Sequence, residues 1–419
     1  MSTILARAAR EVPRSLPPGR EREFGRLREA LDRCLGGAGG VVALNGSVGS
    51  GRSELLDAFS ELAADQGAKV LVATGSPLER EFPLGLVQQL LQSAGLTLGA
   101  DDPWQLPDQP DPARPAHQPR LDQRTLHLLC ARILALAERA PVLIAVDDRQ
   151  DADVPSLEFL LYLVRRTRSA RVLTVLSSRE TMTPPNPFFE VELARQPHHE
   201  RVRLGLLPVE LVADLLTERF GARAAARLTP QAHALTGGNP LLVRALMEDQ
   251  GAPTERQVAG AAVHGAAVHG AAAVADGGPA ELLVGESYRR GLMNCLHRMD
   301  PLALRCARGV AVLGPGAEPA QLAELLLLAP DSLARARYLL DASGLFGQGG
   351  FRHPSGAGDL LAAMSPAELA GLHERAAQVL RAAGALADRL EEQLLAAEGH
   401  KRAPWAVPPP RSGPARDRL

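Results

Sequence analysis

Residues 46–53 read Gly-Ser-Val-Gly-Ser-Gly-Arg-Ser, a spacing of glycines that suits a loop binding phosphate. Glycine lets the backbone turn so that several N–H groups face one anion. The apolar run at 41–44 precedes the loop and a helical pattern follows it, so a helix N-terminus would add positive charge. The order of strand, loop and helix predicts a P-loop in which the phosphates of a nucleotide are held by Gly46, Ser47, Val48, Gly49, Ser50, Gly51, Arg52 and Ser53.

Arg52 stands where the P-loop pattern has lysine. Arginine keeps the positive charge, but its planar fork is bulkier than an ammonium group and does not reproduce a compact cation between two phosphates. We therefore expect the site to bind ATP and, if it is an ATPase, to be a weak one.

Two carboxylates follow the apolar run Val-Leu-Ile-Ala-Val at 142–146. Strand ends place side chains at the carboxyl edge of a parallel sheet, where open α/β folds bind ligands. Asp147 is predicted to hold Mg²⁺ opposite the hydroxyl of Ser53. Asp148 is predicted to orient or activate the water that attacks the γ-phosphate. Together these acids read as a Walker B pair.

Ser177 and Arg179 follow a further apolar strand, predicted at 172–176. A hydroxyl and a guanidinium beside the Walker B strand could sense the γ-phosphate. A surface Ser-Arg turn without a role explains the same residues almost as well.

The elements around these residues alternate between strand and helix. Periodicity predicts helices near 20–34, 52–64, 84–91, 121–137 and 156–166, and strands at 41–44, 69–74, 142–146 and 172–176. The strands are apolar throughout, which is typical of a parallel sheet covered on both faces. The predicted fold class is therefore α/β, a P-loop NTPase sheet followed by helical regions.

Composition shifts divide the 419 residues into seven predicted segments. These are a disordered leader at 1–18, a P-loop domain at 19–207, a helical lid at 208–250, an Ala/Gly/His linker at 251–280, a winged-helix-like domain at 281–360, a helical hairpin at 361–400 and a disordered tail at 401–419. His264 and His269 recur in the linker's Gly-Ala-Ala-Val-His repeat. No other candidate metal ligand accompanies them, so a metal site there is disfavoured.

Bulk properties exclude several classes of function. The net charge of −2 gives no overall field that would attract nucleic acid or an anionic membrane. The four cysteines are scattered without a Cys-x-x-Cys pair, so neither a disulfide framework nor a zinc site is indicated. No run of about 18 apolar residues and no secretory h-region occurs. We expect a cytoplasmic protein that does not enter a membrane.

Six motifs occur in an order that resembles one known family. They are GRERE (19–23), the P-loop, VDDRQDAD (146–153), SSRE (177–180), GGNPLL (237–242) and FRHP (351–354). In this order they resemble the AAA-type, STAND-class ATPase region of large ATP-binding LuxR-family (LAL) transcriptional regulators. The resemblance covers about residues 19–400 and implies Mg²⁺ with ATP or ADP as ligands.

The resemblance also implies roles for residues outside the P-loop and the Walker B strand. Gly19, Arg20 and Glu21 would lie near the adenine, and Pro240 would pack on the base or sugar from the lid. His353 would reach the β-phosphate of ADP and lock a closed state. A plain hairpin end is an equally good reading of His353.

Besides Arg52, two further features depart from that family. Asp151 occupies the usual position of a tryptophan, so one apolar contact beside the Walker B pair is expected to be missing. The family normally continues to a C-terminal helix-turn-helix, and the sequence ends in a Pro/Arg tail instead. We therefore expect no direct DNA binding by this chain, and action through a protein partner or self-association.

The leading functional hypothesis is a switch in transcription regulation that differs in conformation between ATP and ADP. The alternatives are an origin-recognition-type AAA ATPase acting on nucleic acid, and a degenerate scaffold that binds no nucleotide. A small-molecule P-loop kinase is disfavoured because no substrate-binding motif accompanies the loop.

Overall fold

The computed structural model describes residues 16–96, 121–182, 184–251, 282–314, 316–384 and 387–402. Most of the predicted leader, tail and linker, with His264 and His269, lies outside these residues. The chain forms two compact units. The first contains the described residues up to Met299 together with Asp341–Leu345, and the second contains Asp300–Leu340 and the described residues from Phe346 onward.

The first unit contains a sheet of five parallel strands: β1 (Gly40–Gly46), β2 (Lys69–Thr74), β3 (Val142–Asp147), β4 (Val172–Arg179) and β5 (His199–Leu204). Their order across the sheet is β2-β3-β4-β1-β5. β4 therefore lies between the strand that leads into the P-loop and the strand that ends in the Walker B pair.

Helices connect the successive parallel strands of the first unit, one helix precedes the first strand, and further helices follow the last strand. They are α1 (Glu21–Leu35), α2 (Arg52–Asp65), α3 (Gly85–Ser93), α4 (Gln123–Arg139), α5 (Val154–Val164), α6 (Pro187–Ala194), α7 (Val209–Phe220), α8 (Ala222–Thr236), α9 (Pro240–Gly251) and α10 (Glu286–His297). A 3₁₀ turn, Arg149–Asp151, follows β3.

Successive residues of a strand point to opposite faces of the sheet, and both faces are buried. Leu143 belongs to a core with Phe59 of α2, on the side that α1 also covers. Ile144, the next residue, belongs to a core with Leu129 of α4, on the side that α3, α5 and α6 also cover. The predicted α/β class, a parallel P-loop NTPase sheet covered on both faces, is confirmed.

Several elements differ from the sequence prediction. β4 continues through Ser177 to Arg179, so these residues lie in the strand and not in a surface turn. β5 was not predicted because its sequence, His-Glu-Arg-Val-Arg-Leu, is polar at alternate positions. That pattern suits an edge strand, and only Val202 and Leu204 of β5 are fully buried. Helix α6 was also absent from the prediction.

The second unit is mainly helical. Its elements are α11 (Pro301–Leu313), α12 (Pro319–Leu326), most of α13 (Pro330–Ala342), α14 (Pro354–Ala362), α15 (Pro366–Ala382) and α16 (Ala387–Arg402). Strands β6 (Phe346–Gly347) and β7 (Gly350–Phe351) form an antiparallel hairpin in which Phe346 packs on Phe351. The winged-helix-like assignment of this region, and the predicted domain boundaries, stay predictions.

Among the described residues, no helix combines the length and the apolar character needed to cross a bilayer.

Candidate nucleotide site

The loop from Gly46 to Ser53 joins the end of β1 to the first turn of α2. Gly49 and Gly51 adopt positive φ angles of 76° and 86°, a conformation that glycine enters without steric cost. A Cβ atom on Gly49 would lie 2.6 Å from Oδ1 of Asn239. Two glycines of the predicted P-loop are therefore required by the backbone conformation, and one of them also by a close neighbour.

The guanidinium of Arg52 lies inside the loop. Its Nη1 donates to the carbonyl oxygens of Gly46 and Ser47, each at 2.6 Å, and its Nη2 lies 3.4 Å from Oδ1 of Asp148. Arg52 is only 6% exposed, and burial lowers its pKa against the opposing effect of the two nearby carboxylates. The residue that replaces lysine is thus held by the backbone of its own loop.

Ser53 and Asp147 are brought together as predicted for a Mg²⁺ site. Ser53 Oγ donates to Asp147 Oδ2 at 2.5 Å, and the backbone N–H of Asp148 donates to Asp147 Oδ1 at 2.9 Å. A hydroxyl and a carboxylate are ligands that Mg²⁺ accepts, with phosphate oxygens and waters completing the octahedron. Among the described residues, no cluster of three or more His, Cys, Asp or Glu side chains forms a separate metal site.

Two buried polar atoms of the loop lack a hydrogen-bond partner among the described residues. They are Oγ of Ser50 and Nε of Arg52. A buried polar group without a partner is costly, and a bound phosphate would offer acceptors to both. These atoms, the glycine backbone and the Ser53–Asp147 pair fit a nucleotide with Mg²⁺.

Asp148 accepts hydrogen bonds on both oxygens. Oδ1 faces Arg52 and accepts from Gln150 Nε2 at 3.1 Å, and Oδ2 accepts from Arg298 Nη2 at 2.6 Å. Burial alone would raise the pKa of Asp148. The hydrogen bond from Gln150 and the positive charges of three arginines outweigh burial, so this pKa lies below its usual value. The predicted catalytic carboxylate is therefore held ionised.

Ser177 is fully buried in β4, and its Oγ has no partner among the described residues. Arg179, at the strand end, pairs with Asp151 at 3.2 Å and donates to the carbonyl oxygen of Arg298 at 2.9 Å. Asp151 also pairs with Arg80. Asp151 thus makes two ion pairs, one of which orients Arg179.

A pocket of about 130 Å³ opens beside the P-loop. It brings together Arg20 and Pro240, two residues predicted to lie near the base, whereas Gly19 and Glu21 do not line it. Arg20 is buried and donates to the carbonyl oxygens of Ser50 (2.9 Å) and Gly205 (2.7 Å). The complete lining is Pro17, Pro18, Arg20, Ser50, Gly51, Glu54, Leu207, Leu215, Pro240, Val243, Arg244 and Met247.

Asn239 connects the P-loop to helix α9 by hydrogen bonds, a role that was not predicted from the sequence. Its Nδ2 donates to the carbonyl oxygens of Val48 (2.9 Å) and Ser343 (2.7 Å). Its Oδ1 accepts from the first turn of α9, and Leu241 N donates to Gly49 O at 3.3 Å. An asparagine directly before a proline that begins a helix is a recognisable N-cap, but the partners of its amide depend on the fold.

His353 belongs to the second unit, where it caps helix α14: its Nδ1 accepts from the backbone N–H of Ser355 at 3.2 Å. Its proposed contact with a phosphate stays a prediction.

Arg298 was also missed, because it lies 150 residues from Asp148 in sequence. No local motif marks it. Gln150, which bonds Asp148, Asp151 and Arg179, belongs to the VDDRQDAD motif, but the motif by itself predicts no role for it.

The comparisons with known proteins agree with this geometry at the level of the domain. Residues 16–175 match the family described as the AAA ATPase domain. No curated protein matches the chain.

Two of the solved structures similar to the chain come from Aeropyrum pernix and Pyrococcus abyssi. The Aeropyrum pernix ORC2 protein in ADPNP–ADP complexes has 16% identity and a TM-score of 0.45, covering 85% of this chain and 96% of that one. A Walker-type ATPase of Pyrococcus abyssi has 15% identity and a TM-score of 0.46, covering 83% and 98%.

A Pyrococcus horikoshii STAND protein with a tetratricopeptide repeat sensor has 15% identity and a TM-score of 0.34, covering 92% of this chain and 48% of that one. The residues that match the AAA ATPase domain, 16–175, contain the P-loop and the strands β1 to β3 of a parallel sheet of the P-loop NTPase class.

Proposed function

We propose that the P-loop binds Mg-ATP and Mg-ADP and that the protein is a nucleotide-dependent switch with slow hydrolysis. The observation that carries this proposal is the position of Arg52, which bonds two carbonyl oxygens of its own loop and faces Asp148. The loop has the glycines, the helix N-terminus and the cation of a phosphate site, but its cation is already engaged.

Slow hydrolysis follows from that engagement. Nη1 of Arg52 serves two carbonyl oxygens at 2.6 Å, and only Nη2 and Nε can turn to a phosphate without breaking these bonds. A cation that stabilises the charge developing on the γ-phosphate must be aimed at it beforehand. Arg52 is aimed chiefly at the backbone, so binding is favoured over turnover.

The remaining residues have separate roles in this proposal. Ser53 and Asp147 would hold Mg²⁺, which when bound neutralises charge on the phosphates. Asp148 would accept a proton from the attacking water. Ser177 and Arg179 lie between the two motifs on β4, since Gly46 and Arg179 are register partners. The pocket lined by Arg20 and Pro240 would receive the base.

The proposed biological role is that of an ATP-dependent regulator of the LuxR-family type, acting through self-association or a protein partner. Its support is the order of six motifs along the chain. An origin-recognition-type ATPase acting on nucleic acid is the competing assignment. DNA affinity that falls steeply with rising salt would favour the competitor, because phosphate contacts release counterions.

The first experiment identifies the ligand. The purified protein is denatured and any released nucleotide is identified by chromatography, and Mg-ATP and Mg-ADP binding is then titrated by calorimetry. Asp147→Asn is expected to reduce both retention and Mg²⁺-dependent affinity. Asp65→Asn, an exposed acid at the far end of α2, is the matched control and should change neither. If the wild-type protein retains no nucleotide and also fails to bind added Mg-ATP, the proposal is wrong and the alternative of a degenerate scaffold that binds no nucleotide is favoured.

A further inference from the structure

Arg298 follows the last turn of α10 and attaches to the carboxyl edge of the sheet at two points. Its Nη2 donates to Asp148 Oδ2 at 2.6 Å, and its carbonyl oxygen accepts from Arg179 Nη1 at 2.9 Å. Arg298 is thus bonded to the residue that directly follows β3 and to the last residue of β4.

The two oxygens of Asp148 have different surroundings. Oδ1 faces Arg52 and Gln150, which are both buried. Oδ2 is bonded by Arg298 alone among the described residues, and the Arg298 side chain is 54% exposed. Water can replace Arg298 when this side chain moves into solvent. The partners of Oδ1 are buried and have no such route into solvent. Oδ2 is therefore the oxygen that the protein can free at low cost.

We propose that Arg298 is a positioning residue that holds Asp148 by Oδ2 and must release it before the γ-phosphate of ATP is hydrolysed. The inference rests on the proposed function, because it assigns a restraint to the same site. Arg298 lies outside residues 16–175, which match the AAA ATPase domain. The proposal therefore makes the rate of ATP hydrolysis depend on the position of α10.

The hydrolysis step explains why the contact restrains turnover. The water oxygen forms a bond to the γ-phosphorus while the bond from that phosphorus to the bridging oxygen breaks, and the bond's electron pair leaves with ADP. The proton lost by the water passes to a lone pair of Asp148. In this proposal the accepting oxygen is Oδ2, which is bonded by Arg298, so the proton transfer requires that hydrogen bond to open.

The expected effect is small, because a half-exposed ion pair is weak. Arg298→Gln, which removes the charge, should raise kcat for Mg-ATP about two- to fivefold, with KM unchanged. Arg298→Lys keeps a cation at this place and should return kcat close to the wild-type value. Arg290→Gln removes an exposed arginine of α10 that pairs with Glu286 one turn away, and should leave both parameters unchanged.

The experiment is a steady-state ATPase assay on the full chain, with nucleotide binding measured on each variant. Normal Mg-ATP binding with unchanged or reduced kcat in Arg298→Gln would overturn the inference and leave the proposed function standing. Loss of Mg-ATP binding by the wild-type protein would overturn both. If Arg298→Gln is unfolded by circular dichroism, Arg298→Met keeps the apolar stem of the side chain and carries the same expectation.

Discussion

The Nη2 atom of Arg52 lies 3.4 Å from Oδ1 of Asp148, so the cation of the P-loop faces the carboxylate predicted to activate water. Both side chains are largely buried. A charge pair of this kind leaves an uncompensated buried charge when one partner is removed. Arg52 and Asp148 therefore form one unit, and variants of either residue need a binding measurement beside the rate.

Arg52→Lys is expected to raise any ATP hydrolysis, by about tenfold, which corresponds to ~1.4 kcal/mol of transition-state stabilisation. A lysine ammonium is compact, and it cannot copy the two hydrogen bonds that Nη1 makes together with the Nη2 contact to Asp148. It would therefore be freer to turn to the phosphates. Phosphate release from Mg-ATP measures the change, with Arg195→Lys on the exposed surface as control. A lower rate in Arg52→Lys would mean that the site is adapted to arginine.

Asp148→Asn should preserve ATP binding and lower turnover by about 10²- to 10⁴-fold, the usual contribution of a general base. The amide keeps the shape of the side chain but has one acceptor oxygen in place of two, so it can accept from Gln150 or from Arg298 but not from both, and it cannot take a proton from water. Parallel titrations of Mg-ATP and single-turnover rates separate the two effects. Equal loss of binding and turnover would remove the assignment of Asp148 as the base.

Asn239→Ala should destabilise the first unit by about 1–3 kcal/mol and weaken Mg-ATP binding. The carbonyl oxygens of Val48 and Ser343 would lose the buried amide that joins them. Asn294→Ala, at an exposed position of α10, is the matched control and should leave stability nearly unchanged. Urea unfolding and calorimetric titration measure the two quantities. Full ATP affinity in a destabilised Asn239→Ala would confine this residue to a structural role.

His353→Ala should speed ADP dissociation if the imidazole reaches the β-phosphate, the role that the family resemblance implies. Alanine also removes the cap of α14, which costs about 0.5–2 kcal/mol. His353→Asn therefore serves as the matched variant, since asparagine is a good N-cap without an imidazole. Faster release of a fluorescent ADP analogue from both variants supports the contact. Wild-type release from His353→Asn would exclude it.

The local sequence determined the elements and motifs that depend on neighbouring residues. Strand β2 was predicted at the residues where it occurs, and the glycines of the P-loop, the helix after it and the acids at the end of β3 follow from patterns a few residues long. β5 and α6 were not predicted, because an edge strand and a short helix bury too few side chains to give the sequence a clear hydrophobic periodicity.

Only the tertiary structure decided how the charges of the site are shared. Arg52 is engaged by its own backbone, Asp151 orients Arg179, and Asn239 joins the P-loop to Ser343. Arg298 reaches Asp148 across 150 residues of sequence. Such partners are set by strand order and by the docking of α9 and α10, and not by any local pattern. The sequence therefore identified the acids and the loop, while the fold determined which arginine restrains which carboxylate.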